Sequence, residues 1–110
     1  RAREEAIEKA NQGATLVPLE GLRLCQSLLE SIEAVIIRGN KNSLSDAGVA
    51  LMTLLAAAQG TFYNININLP NIKDLDFRTR VKEEASLLVS SIEKKAEALK
   101  QILYNEMIKE

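Results

Sequence analysis

One aspartate and a set of asparagines and serines are the residues of this chain best suited to chemistry. An early group lies in GNKNSLSD, residues 39–46, and a late group of alternating asparagines lies in YNININL, residues 63–69. Asp46 could accept or donate a proton, and the neighbouring amides and hydroxyls could orient a polar substrate. The apolar run LMTLLAAA separates the two groups, and amides next to such a run are costly to bury without hydrogen bonds. This segment therefore has the features of a binding site.

Each polar residue also has a purely structural interpretation. Ser43 and Asp46 have the S-x-x-D spacing of a capping box, which predicts that a helix starts at Ser43 or Ser45. Asn40 and Asn42 suit a tight loop. A capping carboxylate is well oriented, so Asp46 could serve as both a cap and a site residue.

The late asparagines lie in a segment whose periodicity is ambiguous. As a strand, Tyr63–Leu69 would place all three asparagines on one face; as a helix, Asn64 and Asn68 share a face and Asn66 points elsewhere. The pattern slightly favours a strand, but no other segment offers a partner strand, so we predict a helix.

Composition excludes several classes of function. The chain has 110 residues, a net charge of −1, no histidine and one cysteine. That charge predicts no general attraction to nucleic acid or to an anionic membrane, and the apolar run 49–58 is too short to span a bilayer. Without histidine, histidine-based acid–base catalysis and the usual histidine-containing metal sites are excluded, and we expect no transition metal. The single Cys25 favours a reduced, cytoplasmic setting and an inert, buried thiol.

Three helices must position these residues. Leu22, Cys25, Leu29, Ile32 and Ile36 recur at helical spacing, Gly39 should end that helix, and Pro18 suits either its first turn or a kink in a helix continuing from Arg1. The small and apolar residues after Asp46 predict a central second helix. Pro70 should end it, and Asn71 or Asp74 should cap a third. The third helix has an apolar stripe: Phe77, Val81, Ala85, Leu88, Ile92, Ala96, Leu99, Ile102 or Leu103, and Met107. We predict an all-α, up-and-down bundle.

Three segments carry a resemblance to a known family. VPLEGL at residues 17–22, GNKNSLSDAGVA at 39–50 and GTFYNININLPNIKDLDF at 60–77 resemble the cyclodeaminase family of folate enzymes. That family includes formiminotetrahydrofolate cyclodeaminase and methenyltetrahydrofolate cyclohydrolases. Its domains are longer and carry an upstream Gly-rich segment and an aspartate-bearing helix. The chain itself begins without Met inside a charged helical run. We therefore expect residues 1–110 to be the C-terminal part of one larger helical domain, inactive alone.

The resemblance implies a folate substrate and a helical fold. Two reactions fit: cyclisation of 5-formiminotetrahydrofolate to 5,10-methenyltetrahydrofolate with release of ammonia, or hydrolysis of the methenyl compound to 10-formyltetrahydrofolate. The resemblance implies that neither reaction needs a metal or a redox cofactor, since the tetrahydrofolate derivative is the substrate. It implies that the main proton-transferring carboxylate lies upstream, so Asp46 is a second catalytic candidate. The expected substrate-binding residues are Asn40, Asn42, Ser43, Ser45, Asn64 and Asn68. Arg78, Arg80 and Lys82 could attract an anionic tail such as folate polyglutamate.

The separation of the early and late polar groups also predicts how copies of the chain assemble. The early and late groups lie about 27–33 Å apart along a straight helix, so a single small pocket needs an antiparallel partner. We therefore predict a homodimer with a shared site. The alternative from another class is a non-catalytic helical assembly module whose asparagines bind across a subunit interface.

Overall fold

Three long helices form the fold, and the computed structural model describes all 110 residues. Helix α1 is Ala2–Arg38, α2 is Lys41–Asn68 and α3 is Leu75–Ile108, with one 3₁₀ turn at Leu69–Asn71 between α2 and α3. The chain contains no strand. The bundle measures 67 × 18 × 17 Å. The predicted all-α, up-and-down bundle is confirmed.

Aliphatic residues that recur every seven positions form the core. In each helix one series of apolar residues recurs every seven positions, and further apolar residues, such as Leu54 in α2 and Ala96 in α3, lie three or four residues after its members. The repeats are Leu22, Leu29 and Ile36 in α1; Leu44, Leu51, Ala58 and Ile65 in α2; and Ala85, Ile92 and Leu99 in α3. Of the two alternatives predicted for α3, Leu103 is buried and Ile102 is exposed.

Polar contacts between helices fix their relative placement. Arg23 of α1 donates two hydrogen bonds to Glu84 of α3, Nε to Oε2 at 2.5 Å and Nη2 to Oε1 at 2.8 Å. These bonds lower the pKa of Glu84. The Glu8 carboxylate of α1 accepts from the backbone N–H groups of Lys73 at 2.9 Å and Asp74 at 3.1 Å. Glu8 thereby holds the connection between α2 and α3 against the first turns of α1.

The helix boundaries confirm some local predictions. Helix α1 runs continuously through Pro18 and ends at Gly39, whose φ of 67° is left-handed. The Asp74 side chain caps α3 by accepting from the Phe77 N–H at 3.1 Å. The predicted helix across the late asparagines is confirmed as far as Asn68, and Leu69 begins the 3₁₀ turn.

Two predictions about α2 are wrong. The helix begins at Lys41, not at Ser43 or Ser45, because Asn40 is its cap and the Ser43 N–H already bonds the Asn40 carbonyl at 2.9 Å. Ser43 and Asp46 therefore do not form a capping box. Among these three helices α2 is also not central, since Val49 is 66% exposed and Ile67 75% exposed. Three helices around one core each keep an outer face.

No helix of the chain combines the length and the hydrophobicity that a membrane span requires.

Candidate functional site

The connection between α1 and α2 is a tight turn built by two residues. Gly39 donates its N–H to the Ile36 carbonyl at 3.1 Å in a left-handed conformation that favours glycine. Asn40 then accepts the Asn42 N–H on its side-chain oxygen at 3.1 Å. This bond satisfies one of the first amides of α2, which have no partner within the helix. The turn therefore fixes where the first two turns of α2 point.

A groove of about 730 Å³ runs between α1 and α2 and contains Asp46. This α1–α2 groove has an apolar floor and a few polar groups, the usual character of a small-molecule site. Its lining residues are Cys25, Leu28, Ser31, Ile32, Val35, Ser43, Asp46, Ala47, Ala50, Thr53, Leu54 and Ala57.

Asp46 is the only acidic residue of the groove, and its carboxylate is free. Its side chain is exposed and takes part in no hydrogen bond or ion pair within the chain. Ser43, one turn earlier, lies on the same wall and is half-buried. An ionised carboxylate beside an apolar surface can accept a proton from, or bond to, a cationic or N–H-bearing ligand.

Sequence reasoning missed two polar residues of the groove. Thr53 lies seven residues after Asp46 and so on the same face of α2, a spacing that could have identified it. Its hydroxyl donates to the Val49 carbonyl at 2.8 Å. Ser31 faces it from α1, and no sequence signal marks Ser31. Cys25, predicted to be an inert thiol, is half-buried in the same groove, and burial raises its pKa.

The other early residues point elsewhere. The Asn40 side chain accepts the helix-capping bond, and Asn42 is an exposed residue of the first turn. Ser45 faces the opposite groove, between α2 and α3, together with Gly48, Met52 and Tyr104. Of the predicted early group, the structure thus brings only Ser43 and Asp46 into the α1–α2 groove.

The late asparagines lie near the other end of α2. The Asn68 amide donates to the Asn64 carbonyl at 2.9 Å, and the Asn66 amide donates to the Phe62 carbonyl at 2.8 Å. The Asn64 side chain is exposed and makes no hydrogen bond within the chain. Asn66 borders a small pocket of about 300 Å³ with Arg78 and Lys82. Asn64 is therefore the late asparagine whose amide is most available to a partner or ligand.

Asp46 and Asn64 share one face of α2 but lie far apart. Eighteen residues make five full turns, so the two side chains point in the same direction about 27 Å apart along the axis. One chain alone cannot place them in the same small pocket.

No cluster of three or more Cys, Asp or Glu residues in the chain could hold a metal ion. The arrangement at the α1–α2 groove is thus a free carboxylate and a hydroxyl at one end of a largely apolar groove. These groups can orient a partly apolar ligand and transfer a proton to or from it.

Comparison with known proteins defines the class. Residues 1–87 match the family described as Formiminotransferase-cyclodeaminase. The chain is 35% identical over 91 residues to the methenyltetrahydrofolate cyclohydrolase of Methylorubrum extorquens, an alignment covering 82% of this chain and 44% of that protein. It is 28% identical over 94 residues to the formimidoyltransferase-cyclodeaminase of Sus scrofa, covering 86% of this chain and 17% of the relative. For the Dictyostelium discoideum protein of the same name the identity is 27% over 103 residues, with coverages of 94% and 19%.

These matches show that the chain belongs to the formiminotransferase-cyclodeaminase family, as the three sequence segments predicted. The chain spans less than half the length of each of these relatives.

Proposed function

We propose that the protein containing this chain is a folate one-carbon enzyme that cyclises 5-formiminotetrahydrofolate to 5,10-methenyltetrahydrofolate and releases ammonia. The observation that carries the proposal is the family match over residues 1–87, which includes Asp46 and the whole of α2. The α1–α2 groove supports it, because its end places the Asp46 carboxylate and the Ser43 hydroxyl beside an apolar surface, as in other small-molecule sites.

Asp46 has a clear part in this reaction. N10 of the folate attacks the formimino carbon on N5, forming a C–N bond and a tetrahedral carbon that carries an amino group. The N10 proton must then move to that amino group, which leaves as ammonia when its bond to carbon breaks. The resemblance implies an upstream carboxylate for this transfer, and we assign Asp46 a part beside it, in which Asp46 takes the proton from N10 or returns it to the leaving amine. Ser43 would orient the same end of the substrate.

A second candidate reaction is hydrolysis of 5,10-methenyltetrahydrofolate. The 35% identity to a cyclohydrolase over 82% of the chain favours it. Water would attack the same carbon, and Asp46 would accept one proton of that water and pass it to N5. The bond from carbon to N5 would then break while the remaining hydroxyl proton is released to solvent, which gives 10-formyltetrahydrofolate. Both reactions pass through a tetrahedral carbon between N5 and N10, so one groove serves either.

We further propose that the site is completed by a second copy of the chain. The face of α2 that carries Asp46 and Asn64 is exposed along its whole length. Its other members, Ala50, Thr53, Ala57 and Gly60, are small, which allows another helix to approach closely. An uncovered face of small side chains supports a helix-to-helix contact.

The spacing on this face supports a two-fold, antiparallel pairing. The positions form three pairs centred on residue 55: 46 with 64, 50 with 60, and 53 with 57. A two-fold axis beside that centre places each residue opposite its pair on the second copy. Asp46 then lies beside Asn64 of the second copy, where an amide N–H can donate to the carboxylate or to the bound folate. The second copy would cover the middle of the α1–α2 groove at Ala50, Thr53 and Ala57. A pocket would remain at each end of the paired helices, as the separation of about 27–33 Å requires.

Product analysis tests the proposed reaction. Each folate is incubated separately with the purified protein that carries residues 1–110, and the methenyl chromophore and free ammonia are followed. Cyclisation raises the methenyl absorbance with one ammonia per turnover, whereas hydrolysis lowers that absorbance without ammonia. Absence of turnover on both folates by a folded protein would refute the enzymatic proposal and favour the assembly module.

A further inference from the structure

Gly48 is the closest-packed glycine of the chain, and its contact lies on the side of α2 that faces α3. A Cβ atom added to Gly48 would lie 3.1 Å from Cδ2 of Leu103. Carbon atoms pack best at about 3.5–4.0 Å, so this distance is too short by roughly 0.4 Å or more. Leu103 is 7% exposed and belongs to the core. The missing side chain at position 48 therefore allows α2 and α3 to approach closely.

The other helical glycines do not serve this purpose. A Cβ on Gly13 or Gly60 would meet no atom within 4 Å, and one on Gly21 would lie 4.0 Å from Thr61. Gly13 is also an interior helical residue, in α1, and lies outside both the α1–α2 groove and the proposed pairing face of α2. Gly13 is accordingly the control for Gly48, because an added methyl group there meets open space.

The Gly48 contact lies almost opposite Asp46 on the same turn of α2. Two residues turn a helix by about 200°, so Asp46 faces the α1–α2 groove while Gly48 faces α3. The end of α3 holds this part of α2 at a second point, since the Lys41 ammonium donates to the Lys109 carbonyl. The last turns of α3 thus set the position of the first turns of α2.

We propose that Gly48, packed against Leu103, is a positioning residue for Asp46. This inference rests on the proposed function, in which Asp46 transfers a proton in the α1–α2 groove. A side chain at position 48 moves α2 away from α3. Because the three helices surround one core, the same movement has a component away from α1, which opens the groove and displaces Asp46 from the substrate.

The test is Gly48→Ala compared with Gly13→Ala in the protein that carries residues 1–110. A displacement of about 0.4 Å should lower kcat roughly fivefold, scaled from the about 10²-fold that a 1 Å misplacement costs. KM should change little, because the apolar walls that bind the folate remain. The thermal midpoint of Gly48→Ala should change little, because the greater helix preference of alanine offsets the strain of the tighter contact. Gly13→Ala should keep wild-type kcat.

Two further measurements make the test specific. Leu103→Val in the Gly48→Ala background removes the clashing methyl group and should restore most of kcat, which an effect unrelated to this contact would not allow. A crystal structure of each variant gives the distance between the Cα atoms of residues 48 and 103, which reports the separation of α2 and α3. This distance should be about 0.4 Å longer in Gly48→Ala than in wild type and unchanged in Gly13→Ala.

The outcomes separate the positioning role from the proposed function. Equal kcat in Gly48→Ala and wild type, or no rescue by Leu103→Val, overturns the role of Gly48. A wild-type protein that turns over neither folate overturns the proposed function instead. In that case the helix separation still decides the mechanical part: equal distances between the Cα atoms of residues 48 and 103 in the two glycine variants show that Gly48 does not set the position of α2.

Discussion

Replacement of Asp46 by asparagine separates a catalytic role from a structural one. Asparagine has the same shape, and the Asp46 carboxylate is exposed and bonded to no other group of the chain. The free energy of unfolding should therefore change by less than about 0.5 kcal/mol, as for other surface substitutions without partners. The structure thus predicts a folded variant that has lost one proton acceptor.

The expected loss of rate follows from what the carboxylate does. Positioned proton transfer contributes about 10²–10⁴-fold, or roughly 3–5 kcal/mol of the barrier. Because Asp46 remains open to water on this chain, we expect the lower end, about a 10²-fold fall in kcat/KM. Water can carry part of the proton transfer in the variant.

Steady-state turnover of the folate substrate measures this effect, with urea unfolding of the same preparations as the stability control. Asp76→Asn is the matched substitution, because Asp76 is exposed in the first turn of α3 and has no bonding partner. Asp76→Asn should keep wild-type turnover. A folded Asp46→Asn protein with wild-type kcat/KM would refute the assignment of proton transfer to Asp46.

Two predictions concern stability. Three hydrogen bonds lower the pKa of the Glu8 carboxyl from its usual value: from the backbone N–H of Lys73, from the Gln12 side chain and from the backbone N–H of Asp74. These bonds therefore stabilise the fold fully above the usual carboxyl pKa, and this stabilisation is lost as the pH falls through the lowered pKa of Glu8. The melting temperature of wild type should fall more than that of Glu8→Gln on acidification from about pH 6 to pH 3, and parallel curves for the two proteins would contradict this role. Leu51 is 0% exposed whereas Leu87 is 72% exposed, so Leu51→Ala should cost about 2–5 kcal/mol in urea unfolding and Leu87→Ala less than about 0.5. Equal costs at the two positions would contradict the assigned core.

The fold follows largely from local sequence signals. Apolar spacing predicted the three helices, Gly39 predicted the end of α1, and Asp74 is the one of two predicted caps, Asn71 or Asp74, that starts α3. Each of these signals acts within a few residues and needs no knowledge of distant contacts. The helix across Asn64 was harder to predict, because its alternating pattern also fits a strand and only the lack of a partner strand argued against one.

The wrong predictions have physical reasons. Ser43 and Asp46 match a capping box, but Asn40 comes earlier and offers a better-placed oxygen, so the helix starts at Lys41. The composition of α2 predicted burial on all sides, whereas three helices cannot cover the outer face of any one of them. A local sequence pattern carries no information on how many neighbouring helices pack against a helix.

Only part of the candidate site could be predicted from the sequence. Helical spacing groups Asp46 with Thr53, but which side of α2 meets α1 depends on packing across the bundle, which also separates Ser45 from Ser43. The contribution of Ser31 depends on the same packing. The pairing of Asp46 with Asn64 of a second copy remains a prediction, since it concerns contacts between chains.

Complementation between two inactive variants tests the shared site directly. Asp46→Asn and Asn64→Ala are purified separately, each with low kcat/KM, then mixed at equal concentrations under conditions that exchange subunits. Light scattering at twice the mass of the single chain verifies that each variant forms the dimer. If each chain instead formed a complete site by itself, mixing the two variants would give no recovery of turnover.

A shared site predicts recovery of a definite size. Random exchange makes half of the dimers mixed, and each mixed dimer has one pocket with both Asp46 and Asn64 intact, so turnover should rise to about a quarter of wild type. Turnover that stays at the level of the separate variants after verified exchange, or a stable monomer with full activity, would contradict a folate site built by α2 of two chains.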